Sequence, residues 1–181
     1  MLDVARLHVP LRDGTVRLEP LTERHRDALR EACAADAAIW EIYLNSWALD
    51  CFDVTFDALL ANPARQPFAI VEDGKLVGMT AWINAEPRHR TVELGNTYLA
   101  PAARGTGLNG RVKRLLLDHG FALGLLRVQF VIDVRNERSQ AAVLKLGARP
   151  EGVIRNHYVT WTGHRRSSAL FSIVAGEWPH A

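Results

Sequence analysis

Alternating polar and apolar positions and short apolar runs predict a sheet built from seven strands. The alternation is clearest in residues 16–20, where Pro20 ends the run. Residues 68–71 form an apolar run that is typical of a buried strand, and the turn at 73–75 leads into the next strand. The predicted strands comprise residues 16–20, 68–71, 76–83, 91–99, 128–134, 153–161 and 168–174. A turn at 162–164 joins the last two strands into a closing hairpin.

Apolar residues at helical spacing predict a first helix directly after the first strand. Thr22 is a suitable N-cap, and the apolar stripe runs through Leu29 and Cys33 and extends to Ile39. The segment 40–62 is irregular but rich in aromatic residues. We expect it to form one or two short helices packed near a groove.

Two further helices are predicted in the second half of the chain. One follows the glycine-rich turn at 102–107, and the other begins around Asn136 and ends at Gly147, which is typical of a helix C-terminus. The apolar positions of the first of these helices are Leu108, Val112, Leu115 and Leu116. Their spacing indicates an amphipathic helix with one buried face.

The order of elements predicts the fold class. It runs strand, helices, three strands, helix, strand, helix and two strands, which combines hairpins with a crossover. We therefore expect an α/β fold with a single mixed, mostly antiparallel sheet flanked by helices. With 181 residues the chain has the size of one domain, so residues 1–181 are expected to form a single domain. Gly95, inside the strand at 91–99, predicts a bulge or a close backbone approach.

Composition and charge narrow the expected location and partners. The formal net charge is +2 and the basic residues are scattered, so we expect no nucleic-acid partner. The chain contains no run of about 18 apolar residues, so we expect no membrane span. Residues 1–10 lack the apolar core of a signal peptide. Cys33 and Cys51 have no metal-type spacing and favour a reducing compartment. We therefore expect a cytoplasmic protein without a metal.

The turn at 104–109 is the first candidate for a binding site. It follows a strand and opens an amphipathic helix, whose unpaired N–H groups and dipole favour an anion. Gly105 and Gly107 would let a phosphate approach those N–H groups closely. The alternative is that the two glycines only form a tight strand-to-helix turn.

Two common phosphate loops do not account for this turn. A P-loop requires Gly-Lys-Ser/Thr, and this triplet does not occur in the chain. Residues 105–110 have the letters of the dinucleotide fingerprint Gly-x-Gly-x-x-Gly, but they come late in the chain, after a hairpin-rich sheet. The fingerprint requires an acidic ribose ligand about twenty residues further on, where the strand containing Gln129 lies, and no acidic residue follows there until Asp133. We therefore favour another phosphate-bearing ligand.

The residue pattern in this half of the chain resembles that of a known superfamily. Arg104-x-x-Gly107 before a helix looks like the Arg/Gln-x-x-Gly-x-Gly/Ala loop of the GNAT N-acetyltransferases. Asn136-x-x-Ser139 and the later pair at 146–147 resemble the second helix motif of that superfamily. The branch to which the chain is most similar is the ribosomal-protein serine/alanine N-terminal acetyltransferases. The segments that carry this second likeness are residues 151–155, 163–165 and 177–178.

The resemblance implies a cosubstrate and a reaction. A GNAT protein transfers acetyl from acetyl-CoA to a primary amine, here a protein or peptide N-terminus, with the acetyl-CoA core at about residues 91–147. It also implies that the strand around Gly95 and Asn96 splays from its neighbour and offers free backbone groups to the pantetheine arm. The residues expected to bind acetyl-CoA are Leu99, Arg104, Gly105, Thr106, Gly107, Leu108, Asn109, Asn136 and Ser139.

Three positions depart from the pattern of the superfamily. Asn109 stands at the last Gly/Ala of the loop, although the N–H groups of the loop remain. Val143 stands where many relatives have a tyrosine proton donor, which excludes the commonest acid. Ser167 stands where the branch often has an aspartate, and this leaves the particular acceptor open.

The transfer needs a neutral amine and a proton for the departing thiolate. Glu93 is the first candidate for the base, directly or through water, and the alternative is a structural carboxylate paired with an arginine. His157 is the second candidate, although a strand histidine is more often packed or hydrogen-bonded. Ser139 is expected to relay a proton or orient a water beside the thiol, whereas Asn136 binds pantetheine, caps its helix, or does both. Neither cysteine lies in a motif, so direct attack by the amine is favoured.

The sequence leaves two other functions open. One is acetylation of a small amine, such as an amino acid, polyamine or aminoglycoside, because the acceptor is set by residues 40–56 and the final hairpin. The other is a catalytically silent acyl-CoA-binding or regulatory module on the same fold. Association as a homodimer also stays open.

Overall fold

The computed structural model describes residues 2–179, which contain eight strands and four α-helices. The strands are β1 (Leu11–Asp13), β2 (Val16–Pro20), β3 (Arg65–Glu72), β4 (Lys75–Glu86), β5 (Thr91–Leu99), β6 (Arg127–Asp133), β7 (Arg149–Val159) and β8 (Arg165–Val174). The helices are α1 (Arg26–Ala34), α2 (Phe52–Ala61), α3 (Leu108–Ala122) and α4 (Glu137–Lys145). Within the described residues, no helix has the length and hydrophobicity that a bilayer crossing requires.

All eight strands belong to one sheet with the order β1-β2-β3-β4-β5-β6-β8-β7. Neighbouring strands are antiparallel except β5 and β6, which are parallel. Helix α3 connects these two strands, because a parallel pair requires a crossover. The predicted fold class, a mixed and mostly antiparallel sheet flanked by helices, is confirmed.

A hydrophobic core covers each face of the sheet. On one face Val92 and Leu94 of β5 lie in the same buried cluster as Val112 of α3. On the other face Tyr98, also on β5, lies in the cluster that contains Phe52 and other residues of α1 and α2. Residues four apart on a regular strand share a face, so the chain must change sides between positions 94 and 98.

A β-bulge at Asn96 produces this change of sides. Met79 of β4 pairs with Tyr98, whereas Ala81 pairs with Gly95, so β5 contains one extra residue. Asn96 has φ +50°, which belongs to the left-handed region that asparagine tolerates better than most residues. The sequence prediction of a bulge near Gly95 agrees with this finding.

The element boundaries differ from the predicted ones at several places. The strands at 16–20 and 91–99 begin and end as predicted, whereas β3 begins three residues earlier than predicted. The predicted extension of the first helix to Ile39 is wrong: α1 ends at Ala34, and Ile39 belongs to a separate 3-10 helix, Ala37–Ile42. Strand β1 was not predicted, because a three-residue edge strand has too few positions to show an alternation.

Candidate functional site

The parallel strands β5 and β6 separate after a short paired segment. Residues Thr91 to Glu93 pair with Arg127 to Gln129, and the pairing stops there. Beyond this point β5 continues beside β4, and β6 continues beside β8. The facing edges of β5 and β6 therefore carry backbone N–H and C=O groups that no strand pairs, so side chains or a ligand must satisfy them. This is the splay that the resemblance predicted around Gly95 and Asn96.

A cavity of about 820 Å³ opens at the splay. It is bordered by residues 94–97 of β5, residues 130–133 of β6, the beginnings of α3 and α4, and the segment 42–47. Its size falls in the usual range of small-molecule sites, about 300–1,000 Å³. The predicted groove beside the aromatic segment therefore coincides with the point where the sheet opens.

The glycine turn lies at one end of this cavity. Gly105 and Gly107 have φ of +76° and +86°, and Gly107 is the N-cap of α3. A Cβ at either position would meet no atom within 4 Å, so open space lies over the turn. Thr106 stabilises the turn, since its Oγ1 donates to Ala103 O at 3.0 Å and accepts from Leu108 N at 3.3 Å. Left-handed backbone explains the glycines, and the open space above them suits a ligand.

Arg104 and Asn109 hold buried polar atoms that have no partner in residues 2–179. Arg104 Nε donates to Leu99 O at 2.8 Å and Nη1 donates to Asp36, but Nη2 is buried and unpaired. Asn109 Oδ1 is likewise buried and unpaired. Buried polar atoms are rarely left without hydrogen bonds, so both atoms are available to a ligand or an ordered water. Arg104 Nη2 and the N–H groups at the N-terminus of α3 are donors that fit a ligand with phosphate groups, such as acetyl-CoA, whereas Asn109 Oδ1 can accept a hydrogen bond from a donor of the ligand.

Helix α4 contributes Ser139 to the cavity lining. Its N-cap is Asn136, whose Oδ1 accepts a hydrogen bond from Ser139 N at 3.1 Å. The capping role of Asn136 is therefore confirmed, and its contact with pantetheine stays a prediction. Val143, one turn further along α4, is buried in the core and offers no proton.

Glu93 lies in the cavity lining and is the last residue of β5 that pairs with β6. Within the described residues it forms no hydrogen bond and no ion pair. No arginine nitrogen of these residues lies within 4 Å of its carboxylate oxygens, so the structure does not support the alternative of a carboxylate paired with an arginine. Burial raises the pKa of Glu93 above its usual value, while the charges of Arg65, Arg166 and Lys113 act in the opposite direction. A carboxylate with a raised pKa and no partner is suited to accept a proton.

His157 does not line the cavity, and within the described residues it forms no hydrogen bond with Glu93. It lies on β7, where its ring stacks on Tyr158 with 3.8 Å between ring centroids and its Nδ1 is buried without a partner in the described residues. Burial and the charge of Arg166 lower its pKa. Tyr158 and Arg166 are the neighbours that reach the cavity instead.

The cysteines are poorly suited to nucleophilic catalysis. Burial raises the pKa of Cys33 to about 12, and this keeps the thiol protonated and weakly nucleophilic. Cys51 directly precedes α2, and neither cysteine lines the cavity. Neither cysteine is therefore placed to form a covalent intermediate in the cavity.

Two functional candidates were missed from the sequence. Lys113 is buried and lines the cavity, although lysine is usually exposed. The sequence contains one indication of this burial, because Lys113 borders the apolar face of α3 that includes Val112 and Leu116. Tyr43 also lines the cavity, and its hydroxyl donates to Thr97 O at 2.7 Å.

Comparisons with known proteins agree with this geometry. The family model of the acetyltransferase (GNAT) domain matches residues 15–149. Spermidine N(1)-acetyltransferase of Escherichia coli K12 is 26% identical over 104 residues, 57% of this chain and 55% of that protein. A Bacillus subtilis protein assigned as a ribosomal protein bS18-alanine N-acetyltransferase is 26% identical over 117 residues, 64% of this chain and 73% of that protein. The chain thus spans about half the length of the E. coli relative.

A solved structure extends the likeness to nearly the whole chain. Mycobacterium smegmatis RimJ in complex with CoA-disulfide has 26% sequence identity and a TM-score of 0.78, covering 94% of this chain and 88% of that one. The predicted likeness to ribosomal-protein acetyltransferases is confirmed. A spermidine acetyltransferase is also among the relatives. Since the family model matches most of the chain and the splayed sheet carries the expected loop, this chain belongs to the acetyltransferase (GNAT) domain family.

Proposed function

We propose that the protein transfers acetyl from acetyl-CoA to the primary amine of a protein or peptide N-terminus. The observation that carries this proposal is the cavity at the splay, which has a phosphate-type loop at one end and an unpaired carboxylate, Glu93, in its lining. Acetyl-CoA supplies the activated acetyl group. Residues 91–147 form the core that binds it.

The glycine loop and the splay between β5 and β6 form the part of the cavity that binds the cosubstrate. The N–H groups that begin α3 bind the pyrophosphate, with Arg104 Nη2 as a further donor. Backbone groups of β5 around Gly95 and Asn96, on the edge that β6 has left, bind the pantetheine, and one N–H on this edge polarises the thioester carbonyl. Because these donors are fixed by the sheet, no rearrangement is needed when charge develops on the carbonyl oxygen.

The acceptor side contains Glu93, which removes the proton of the attacking amine. An α-amino group ordinarily has a pKa near 8, so a carboxylate with a raised pKa is a sufficient base. His157 is the second candidate for this role, and it would act only if its ring turned toward the cavity.

The charges of the cavity favour a peptide over a polyamine. Its two carboxylates are Glu93 and Asp133, and Asp133 is already held by Arg135. The basic side chains that line it are Arg65, Arg104, Lys113, Arg114, Arg138, Lys145 and Arg166. Such a cavity repels an acceptor with several positive charges and accepts one whose single amine is partly neutral at pH 7.

The acceptor class is tested by comparing three amines at equal concentration with acetyl-CoA. A peptide with a free N-terminus should release CoA thiol with the highest kcat/KM, the same peptide blocked at its N-terminus but containing lysine should react slowly, and spermidine should react slowly. A higher kcat/KM with spermidine than with the free peptide would favour the small-amine alternative. A lack of thiol release with all three would favour the silent acyl-CoA-binding module.

Ser139→Ala is expected to lower kcat and kcat/KM together, by roughly fivefold, as for the loss of one hydrogen bond of about 1 kcal/mol. The reason is that the hydroxyl orients the thiol or a water only as the thiolate leaves. Steady-state kinetics and thermal unfolding of one purified variant measure this. If Ser139 is only a first-turn helix residue, turnover stays intact and stability changes by only a few tenths of a kcal/mol. Ser139 would then be withdrawn from the site.

A further inference from the structure

Lys113 is a buried amine without a carboxylate partner. Its exposed fraction is 4%, and within residues 2–179 it forms no ion pair. Nζ donates to Thr97 Oγ1 at 2.6 Å and to Thr80 Oγ1 at 3.4 Å, and these are its hydrogen bonds in the described part of the chain. An ammonium group has three donors, so one remains for another acceptor. Burial of a lysine without a carboxylate is costly, and packing alone does not account for it.

The two threonines place Lys113 at the bulge. Thr80 Oγ1 donates to Gly95 O at 3.2 Å and shares a hydrogen bond of 2.9 Å with Thr97 Oγ1. Lys113 therefore ends a hydrogen-bonded chain that holds β4 and β5 at the position where the sheet opens. The cavity is lined by Lys113, Gly95 and Thr97 together.

Lys113 and Glu93 reach the splay from opposite faces of the sheet. Leu94 packs on the face of α3, with Val112, and adjacent residues of a strand point to opposite faces. Glu93 therefore points away from α3, toward the acceptor side. Lys113, which belongs to α3, lies on the side where α3 binds the cosubstrate.

The charges around Lys113 suit an acid rather than a permanent cation. Burial lowers the pKa of Lys113 to about 7, and the charge of Glu93 acts in the opposite direction. The charged groups that line the cavity on the surrounding elements are Arg65, Glu93, Arg104, Arg114, Asp133, Arg138, Lys145 and Arg166, with the Tyr43 phenol beside Thr97. An acid of this strength can protonate a thiolate, since an unperturbed thiol has a pKa near 8.5. Val143 offers no competing proton donor.

We propose that Lys113 is the acid of the transfer reaction, whose ammonium group stabilises and protonates the sulfur that leaves. This inference rests on the proposed function. The amine nitrogen forms a bond to the acetyl carbon, and the carbon–sulfur bond breaks with its electron pair on sulfur. Lys113 Nζ gives a proton to that sulfur, Glu93 takes the proton that the amine loses, and proton exchange restores both groups. The products are an amide and the CoA thiol.

The test is the pKa of the thiol of bound CoA, read from thiolate absorbance in the enzyme–CoA complex. Desulfo-CoA complexes provide the baseline and remove the signals of protein cysteines and tyrosines. With Lys113 present, the acid dissociation constant of the bound thiol should be at least about tenfold higher than in Lys113→Met, because a nearby cation favours the thiolate. Lys113→Arg keeps the charge and should keep the shift. Both variants should lose roughly 10²-fold in kcat, since arginine is too weak an acid.

Arg111→Met is the matched control. Arg111 is a cation on the same helix, but it binds Asp13 outside the cavity, so the thiol pKa should not change. An equal thiol pKa in the wild-type and Lys113→Met complexes would overturn the role of Lys113. Calorimetry on the same complexes separates the two proposals. CoA that fails to bind the wild-type protein would contradict the proposed function, and CoA that binds with an unshifted thiol would contradict only Lys113.

Discussion

Glu93→Gln is expected to lower kcat by about 10²–10⁴-fold, the usual contribution of general-base catalysis. The amide keeps the size of the side chain but cannot accept the proton of the amine. Because burial raises the pKa of Glu93, the base is active above that pKa and is lost as the pH falls through it. The kcat/KM of both enzymes falls below a pH of about 8 as the acceptor amine is protonated. The wild-type kcat/KM should fall more steeply below the raised pKa of Glu93, and the variant should lack this second step. Steady-state rates across pH measure both effects.

The affinity for acetyl-CoA should barely change in this variant, since Glu93 lies on the acceptor side. Glu86→Gln is the matched control, because Glu86 is an exposed glutamate on β4 outside the cavity. It should retain wild-type rates. If Glu93→Gln stays within a few-fold of wild type at neutral pH, the role of the base passes to His157 or to bulk water.

Gly107→Val is expected to weaken acetyl-CoA binding by roughly tenfold or more, or about 1.4 kcal/mol. The branched side chain would fill the open space over the turn, where the pyrophosphate must approach the N–H groups of α3. Valine at φ +86° also strains the backbone, which costs about 1–2 kcal/mol of stability. Calorimetry measures the affinity, and thermal unfolding measures the strain.

Gly124→Val separates the two effects of that substitution. Gly124 has φ +94° and equally open space around it, but it lies after the C-terminus of α3 and does not line the cavity. It should show the same loss of stability with unchanged affinity. If Gly107→Val also binds acetyl-CoA with unchanged affinity, the phosphate assignment of the turn is wrong.

The parts of the site that could be predicted are those in which local backbone geometry restricts the residue type. A left-handed turn before a helix requires glycine, so Gly105 and Gly107 marked the loop. A helix N-cap favours asparagine, so Asn136 marked the start of α4. Gly95 marked the bulge because a glycine inside a strand often does so.

The parts that could not be predicted depend on tertiary packing. Lys113 borders the apolar face of α3 in the sequence, but only the packing of α3 against Thr80 and Thr97 shows that its amine is buried. The alternation of side chains along β7 could not predict on which face of the sheet the His157 side chain lies. The register with β8 shifts between Ile154 and Tyr158, and such an irregularity breaks the alternation of faces.

The central claim, that this fold transfers acetyl to an amine, is tested most directly by the stoichiometry of one reaction. Purified protein is mixed with acetyl-CoA and a peptide with a free N-terminus, and the CoA thiol and the acetylated peptide are both quantified. The account predicts equal amounts of the two products, formed at a rate that Glu93→Gln reduces at least about 10²-fold. Tight binding of acetyl-CoA without thiol release, for any acceptor offered, would contradict it and would identify a silent acyl-CoA-binding module.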